Sequence, residues 1–338
     1  MLKGAVRLLV FLLAASCADF QAKPTFPVDA KGTPVVSEQA ILGISDDGDA
    51  AVAQLTDADG QKPELALLVF DRRGRPSKPV ATAPPDVARA VAQRVREAGR
   101  RPSPVLAAAL AAEWPEAPRR AAELGFTPRA PAMPEPGRRR WPIAGAPEVG
   151  SLPLALRLAD SGDDPRALVL LLSEKPAGDE IELARMPLAG VAVAPELWIA
   201  RDVAWLVSGS FLESGPLHRA VGVRRGSLSR GEAQLHNAHG LADYAAGDLD
   251  AARREFDRAI AADPGFVDGL YNAASAAALS DRLAEAFALL RRAAEADPAR
   301  VQVLGRNDDD LKILRKRADV RALLGLRRPP PDNVPPPP

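Results

Sequence analysis

The sequence predicts an α+β chain: an N-terminal, mainly antiparallel β domain with a helical insertion, followed by a C-terminal array of α-helical hairpins. Three observations carry this. Between Ile41 and Arg224, short apolar runs alternate with Asp, Gly and Pro turn chemistry, which gives about nine strands. Inside that region, residues 85–99 place Val87, Val91 and Val95 at four-residue spacing, the period of one helix face. From Gly240 onward the sequence turns alanine-rich and repeats itself every 34 residues. A chain of 338 residues is long enough for two domains at roughly 100 to 200 residues each.

Residues 1–18, MLKGAVRLLVFLLAASCA, come first in the chain and stand apart from the fold. Lys3 and Arg7 precede an apolar run of eight residues, 8–15, and small residues follow, the pattern of a secretory signal peptide. The run is far shorter than the roughly 20 residues that cross a bilayer. Export to the periplasm or outer membrane of a bacterium is expected. Two cleavage sites fit. Ala14-Ala15-Ser16-Cys17 resembles the bacterial lipobox, which implies lipidation of Cys17, with Ala18 after it resembling sorting to the outer membrane. Cleavage after Ala18 by an ordinary signal peptidase is the alternative. The fact that Cys17 is the only cysteine of the chain favours the lipoprotein. Residues 19–36, with Pro24, Pro27 and Pro34 and no periodicity, read as a tether.

The β-rich domain is expected over 37–230. Residues 41–44, 50–55 and 65–70 form a three-strand meander around the turn Asp46-Asp47-Gly48-Asp49. Pro85 opens the helix that begins the insertion, at about 85–125, and shorter helices follow at 104–114 and 116–124, divided at Pro115. The proline-dense stretch 127–149 reads as a long loop, its Arg138-Arg139-Arg140 as a solvated charge run. Strands resume at 152–158, 167–172, 181–186, 196–200, 203–207 and 220–224. The stretches 44–48 and 199–202 resemble each other and the opening of a β-propeller blade, but recurring hairpin chemistry accounts for both.

In the helical region, 231–326, Gly247, Ala252, Phe256, Ala259 and Asp263-Pro264 recur as Asp281, Ala286, Leu290, Ala293 and Asp297-Pro298. With Gly240 and Tyr244 these positions resemble the tetratricopeptide repeat over about 233–298, one fifth of the chain. Gly240 and Ala274 let paired helices approach, Phe256 and Leu290 fill the space between them, and the prolines end the second helices. Asp281 departs from the turn glycine and His239 from the usual aliphatic residue. Two repeats bury too little alone, so 301–326, with Leu304, Leu311, Leu314, Val320, Leu323 and Leu324, are expected to form a degenerate closing repeat. Asn307-Asp308-Asp309-Asp310 is expected to cap a helix N-terminus. Residues 327–338 read as a Pro-rich disordered tail.

Composition excludes several functions. Lys plus Arg and Asp plus Glu each total 44, so the broad positive field of a nucleic-acid binder is absent, and no nucleic-acid partner is expected. Removing Lys3 and Arg7 leaves the mature chain slightly negative. One cysteine rules out a disulfide framework or a multi-cysteine zinc site. No nucleophile elbow, zincin helix, phosphate loop or dinucleotide fingerprint is present, so no catalytic residue, cofactor or metal is expected. His236, His239 and Asp243 share a helical face, the best metal-like spacing, but read as packing. Asp57, Asp59, Gly60 and Glu64 echo a calcium loop in truncated form and read as a surface turn.

The repeat resemblance implies binding of another envelope protein or peptide along the inner face of the first helices. That face carries Gln234, Asn237, Leu241 and Tyr244 from one repeat and Asp268, Tyr271, Asn272, Ser275 and Leu279 from the next. Asn272 sits where such repeats hold a peptide backbone or terminal carboxylate. Membrane contact is expected only through a lipid at Cys17. The reading from another class is an envelope hydrolase or ligand-binding protein whose site lies in the β-rich domain around Asp46, Asp202 and His218.

Overall fold

The computed structural model describes residues 37–56, 62–71, 74–97, 105–133, 140–142, 154–161, 167–174, 178–187, 195–200, 202–211 and 219–326. The expected signal peptide, tether, Cys17 and Pro-rich tail lie outside the described residues. The chain is mixed α/β, with antiparallel sheets first and a helical region after them, and divides into two compact units between Leu228 and Ser229.

In chain order, the first unit holds β1 (Ser37–Ile44), β2 (Ala50–Thr56), β3 (Glu64–Phe70), β4 (Ala81–Thr82), α1 (Pro85–Glu97), α2 (Val105–Glu113) and α3 (Glu116–Glu123). After these come β5 (Arg140–Pro142), β6 (Leu154–Asp160), β7 (Ala167–Glu174), β8 (Glu180–Pro187), β9 (Glu196–Ala200), β10 (Val203–Phe211) and β11 (Arg219–Ser227). Two sheets result: seven strands in the order β4-β3-β2-β1-β11-β10-β9, and four in the order β5-β6-β7-β8. The larger sheet is two antiparallel meanders, one from each end of the domain, joined where β1 runs parallel to β11 with Ser37 opposite Ala220.

A buried amide holds this junction. Gln39, 2% exposed, accepts from the Val223 N–H at 3.0 Å through Oε1 and donates to Gln54 Oε1 at 2.8 Å through Nε2. One side chain thus ties β11 to β1 and β2 where a polar group buried without a partner would be costly.

Both faces of the larger sheet are buried, which is why β2 and β3 are apolar almost without alternation. One face, with Ala51, Ala53, Leu55, Leu65 and Leu67, packs against Val91, Leu106, Leu110, Trp114 and Ala117 of the helical insertion and its turns. The other gathers Ile44, Val52, Phe70, Val203 and Trp205. The look-alike stretches 44–48 and 199–202 are hairpin turns of this one sheet, not blades: Val203 packs on Gly48, and Trp205 Nε1 donates to the Gly48 carbonyl at 3.2 Å.

Two strands were not expected. β4 is a two-residue edge, and β5 lies inside the stretch 127–149 that reads as a loop. Proline stops a central strand but not an edge, and β5 pairs on one side only, with β6. Trp141 anchors it, 4% exposed and donating from Nε1 to the Ala132 carbonyl at 2.9 Å.

The helical unit comprises α4 (Leu228–Ala246), α5 (Leu249–Ala262), α6 (Val267–Leu279), α7 (Leu283–Ala296) and α8 (Pro298–Gly305). Two 3₁₀ turns, Asp309–Leu311 and Leu314–Lys316, and α9 (Ala318–Leu323) follow. The 34-residue period becomes geometry here. Ala252 and Ala286, Phe256 and Leu290, and Ala259 and Ala293 are all fully buried. A Cβ on Gly240 would stand 2.5 Å from Phe256 Cε1, so only glycine lets α4 and α5 close to this distance. Gly247 and Asp281 both take a left-handed backbone, φ 87° and 59°, and Asp281 is the only non-glycine described residue to do so.

Two outcomes follow from these packing relations. Gln39→Ala is expected to cost about 1–3 kcal/mol in urea unfolding, because Val223 and Gln54 each lose a buried partner. At the repeat turns, Gly247→Ala is expected to destabilise and Asp281→Gly to stabilise, each by roughly 1 kcal/mol, since the same left-handed conformation is easy for glycine and strained for other residues. Opposite shifts in melting temperature check the equivalence of the two turns, and shifts of one sign would refute it.

Candidate functional site

The inner face of α4 and α6 carries the residues that the repeat register singled out, and the chain's own C-terminal segment reaches it. Asp308 caps the first 3₁₀ turn, accepting from the Asp310 N–H at 3.0 Å, so the Asp run is a cap as expected, on a 3₁₀ turn. The same turn aims two carboxylates at the face. Tyr271 donates to Asp308 Oδ2 at 2.5 Å, Ser275 reaches the same oxygen at 3.4 Å, and Tyr244 donates to Asp310 Oδ2 at 2.5 Å. Arg315 steadies the turn from behind, donating to the carbonyls of Gly305 and Asp308.

The remaining positions are placed as follows. Asn237 and Asn272 join α4 to α6 through an amide pair at 2.8 Å, so the asparagine that the resemblance assigns to a peptide holds a neighbouring helix. Asp268 takes a bidentate pair from Arg300 of α8 at 2.9 and 3.0 Å. Gln234 and Leu241 are half-buried, Leu241 against the main core, while Leu279 is exposed. Tyr271 is 4% exposed and belongs to that core.

Burial pushes both phenols well above the ordinary tyrosine range, with the carboxylates adding to it: Asp310 at Tyr244 and Asp308 at Tyr271. Both tyrosines are therefore neutral donors. Burial also raises Asp310, against the opposing pull of the Tyr244 hydrogen bond. The arrangement is a pair of phenol donors built to hold carboxylates.

A second cluster lies between α4 and α5. His236, 3% exposed, meets Glu255 Oε2 through Nδ1 at 2.7 Å, and His239 completes a group whose ligand-type atoms all lie within 4.8 Å of one another. The third member is Glu255, not the Asp243 that helical spacing offers. Desolvation lowers the His236 pKa, Glu255 opposing it.

In the first unit, Asp46 and Asp202 are exposed turn residues. His218, Asp57, Asp59 and Gly60 lie outside the described residues. Among the described residues no helix is long and apolar enough to cross a membrane.

Sequence reasoning missed Asp308 and Asp310 as occupants of the inner face, and it missed Glu255. The latter had a usable signal: His239 and Glu255 stand eight residues either side of Gly247, and an antiparallel hairpin turning there brings such positions level. No protein-family model, no curated protein and no solved structure matches the chain.

Tyr271→Phe is expected to cost about 1–3 kcal/mol, because Asp308 stays part-buried with one good donor fewer. The half-buried Tyr244→Phe is expected to cost less, as water reaches Asp310 more readily. Chemical denaturation of the two variants gives the order, and a reversed order would contradict the burial difference.

Proposed function

We propose that the chain is an exported cell-envelope protein, held by a lipid at Cys17, whose helical unit is a tetratricopeptide-type module that binds a partner protein. Its inner face takes an acidic stretch of the partner in place of the chain's own 307–310 segment. The observation that supports this is the pair of tyrosine hydroxyls, each already holding a carboxylate. A face that seats two aspartates of its own chain has the donors and spacing to seat those of another.

The exchange is local. Leu311, Leu314, Val320 and Leu324 are buried at 0–2% exposure and keep the closing segment attached, so only the polar turn before Leu311 has to lift. The partner then competes with a tethered ligand of similar chemistry, and the tether sets the threshold.

Capture from envelope extract with three baits tests the reading: wild type, Asp308→Asn/Asp310→Asn and Tyr244→Phe/Tyr271→Phe. Weakening the internal ligand is expected to raise partner recovery, and weakening the donors to lower it, with melting curves confirming that all three are folded. Equal recovery by all three would sink the groove reading. The lipid is checked separately by intact mass of the mature protein, for which a chain starting at Asp19 without added mass would remove the anchor.

A further inference from the structure

We propose that His236, His239 and Glu255 form a binding site for one divalent transition-metal ion of the zinc type, which clamps α4 to α5. The site is independent of the inner groove and uses residues that no part of the binding reading needs.

Helix geometry places the donors. His236 and His239 are three residues apart on α4, so both imidazoles leave the same face. Glu255 comes from the antiparallel α5, and Gly240, next to His239, allows the two helices the close approach that brings the carboxylate within reach. The three ligand-type atoms lie within 4.8 Å of one another, and tetrahedral zinc at 2.0–2.2 Å needs them about 3.4 Å apart. With the His236 and Glu255 atoms 2.7 Å apart, binding has to open that pair by about 0.7 Å and draw in the widest spacing by up to about 1.4 Å, adjustments on the scale of side-chain torsions.

The donor set selects the ion. Two imidazole nitrogens and one carboxylate oxygen suit zinc and its first-row neighbours, whereas calcium and magnesium take oxygen. Three protein ligands leave a fourth position for water. His236 is buried and His239 half-buried, so the ion enters from the His239 side. Arg258 donates to Glu255 Oε1 at 2.6 Å, which fixes the carboxylate plane and leaves Oε2 toward His236. The Arg258 side chain is 50% exposed, so solvent weakens its repulsion of the ion, which the two imidazoles and the carboxylate have to outweigh. The chain has three histidines in all, and two of them meet here with a carboxylate.

The test uses the full chain without an affinity tag, stripped with a chelator and titrated with Zn²⁺ alone by calorimetry. One equivalent is expected to bind, and the melting temperature to rise with it, because the ion favours the folded hairpin. Visible absorption of the Co²⁺ form is expected to be that of a tetrahedral centre. His239→Ala and Glu255→Gln are each expected to weaken Zn²⁺ binding by at least about tenfold, the least that even supporting residues of metal sites cost. Asp243→Asn and His218→Ala are expected to leave it unchanged. Should Glu255→Gln fail to fold, the half-exposed His239→Ala decides alone, with circular dichroism confirming its helices. Absence of saturable binding at micromolar Zn²⁺, unchanged affinity in His239→Ala, or loss of affinity in His218→Ala would each overturn the site.

Discussion

The helical unit is governed by the burial of α6. Ten of the thirteen residues of this helix are buried, on every side, and five of those ten are alanine. A helix apolar all round has to be surrounded, and α5 and α7 cover only part of it. The segment after Pro298 supplies the rest: Val301, Leu311, Leu314, Val320 and Leu324 enter the same core as Phe256 and Leu290. Hence the irregular C-terminal stretch of short helix and 3₁₀ turns is as much a part of the fold as the regular hairpins.

Surrounding α6 makes each of its polar side chains a liability that needs a partner, and the partners come from the elements that cover it. Asp268 is met by Arg300, Tyr271 and Ser275 by Asp308, and Asn272 by Asn237. The carboxylates are the costly members, since a part-buried charge loses hydration that only short, well-directed donors replace. Two neutral phenols do this without adding a competing charge. Stability and the proposed recognition therefore draw on the same hydroxyls, and this coupling makes the inner face informative about the kind of ligand the proposal requires.

Much of the fold was legible in the sequence, for physical reasons that differ by region. The long strands were readable because apolar runs between turns rich in Asp, Gly and Pro leave few alternatives. The hairpins were readable because close helix contact demands small residues at a fixed interval, and Gly240 and Ala274, or Ala252 and Ala286, supply them. The edge strands β4 and β5 were not, because two or three residues carry no period, and the prolines of 127–149 argued for a loop. At the site, helical register put Tyr244 and Tyr271 on one face. Nothing in the sequence tied them to Asp310 and Asp308, which lie 66 and 37 residues along the chain and reach them through tertiary closure alone.

The self-filled face also sets what the proposed partner has to bring. Hydrogen bonds to charged groups contribute about 1.5–3 kcal/mol each, so two such bonds to the tethered turn favour the closed arrangement by roughly 3 kcal/mol or more. At 1.4 kcal/mol per tenfold, a competitor binds roughly a hundredfold more weakly than it would to an open face. A partner offering one carboxylate replaces one of the two bonds and leaves the other tyrosine without its anion. A partner with two acidic groups spaced like Asp308 and Asp310 replaces both, and its remaining contacts, with the exposed Leu279 at the end of α6 for example, become net affinity. The ligand that the proposed module selects is accordingly a doubly acidic turn, the pattern that the chain presents to itself in Asp308 and Asp310, while Leu311 stays in the core.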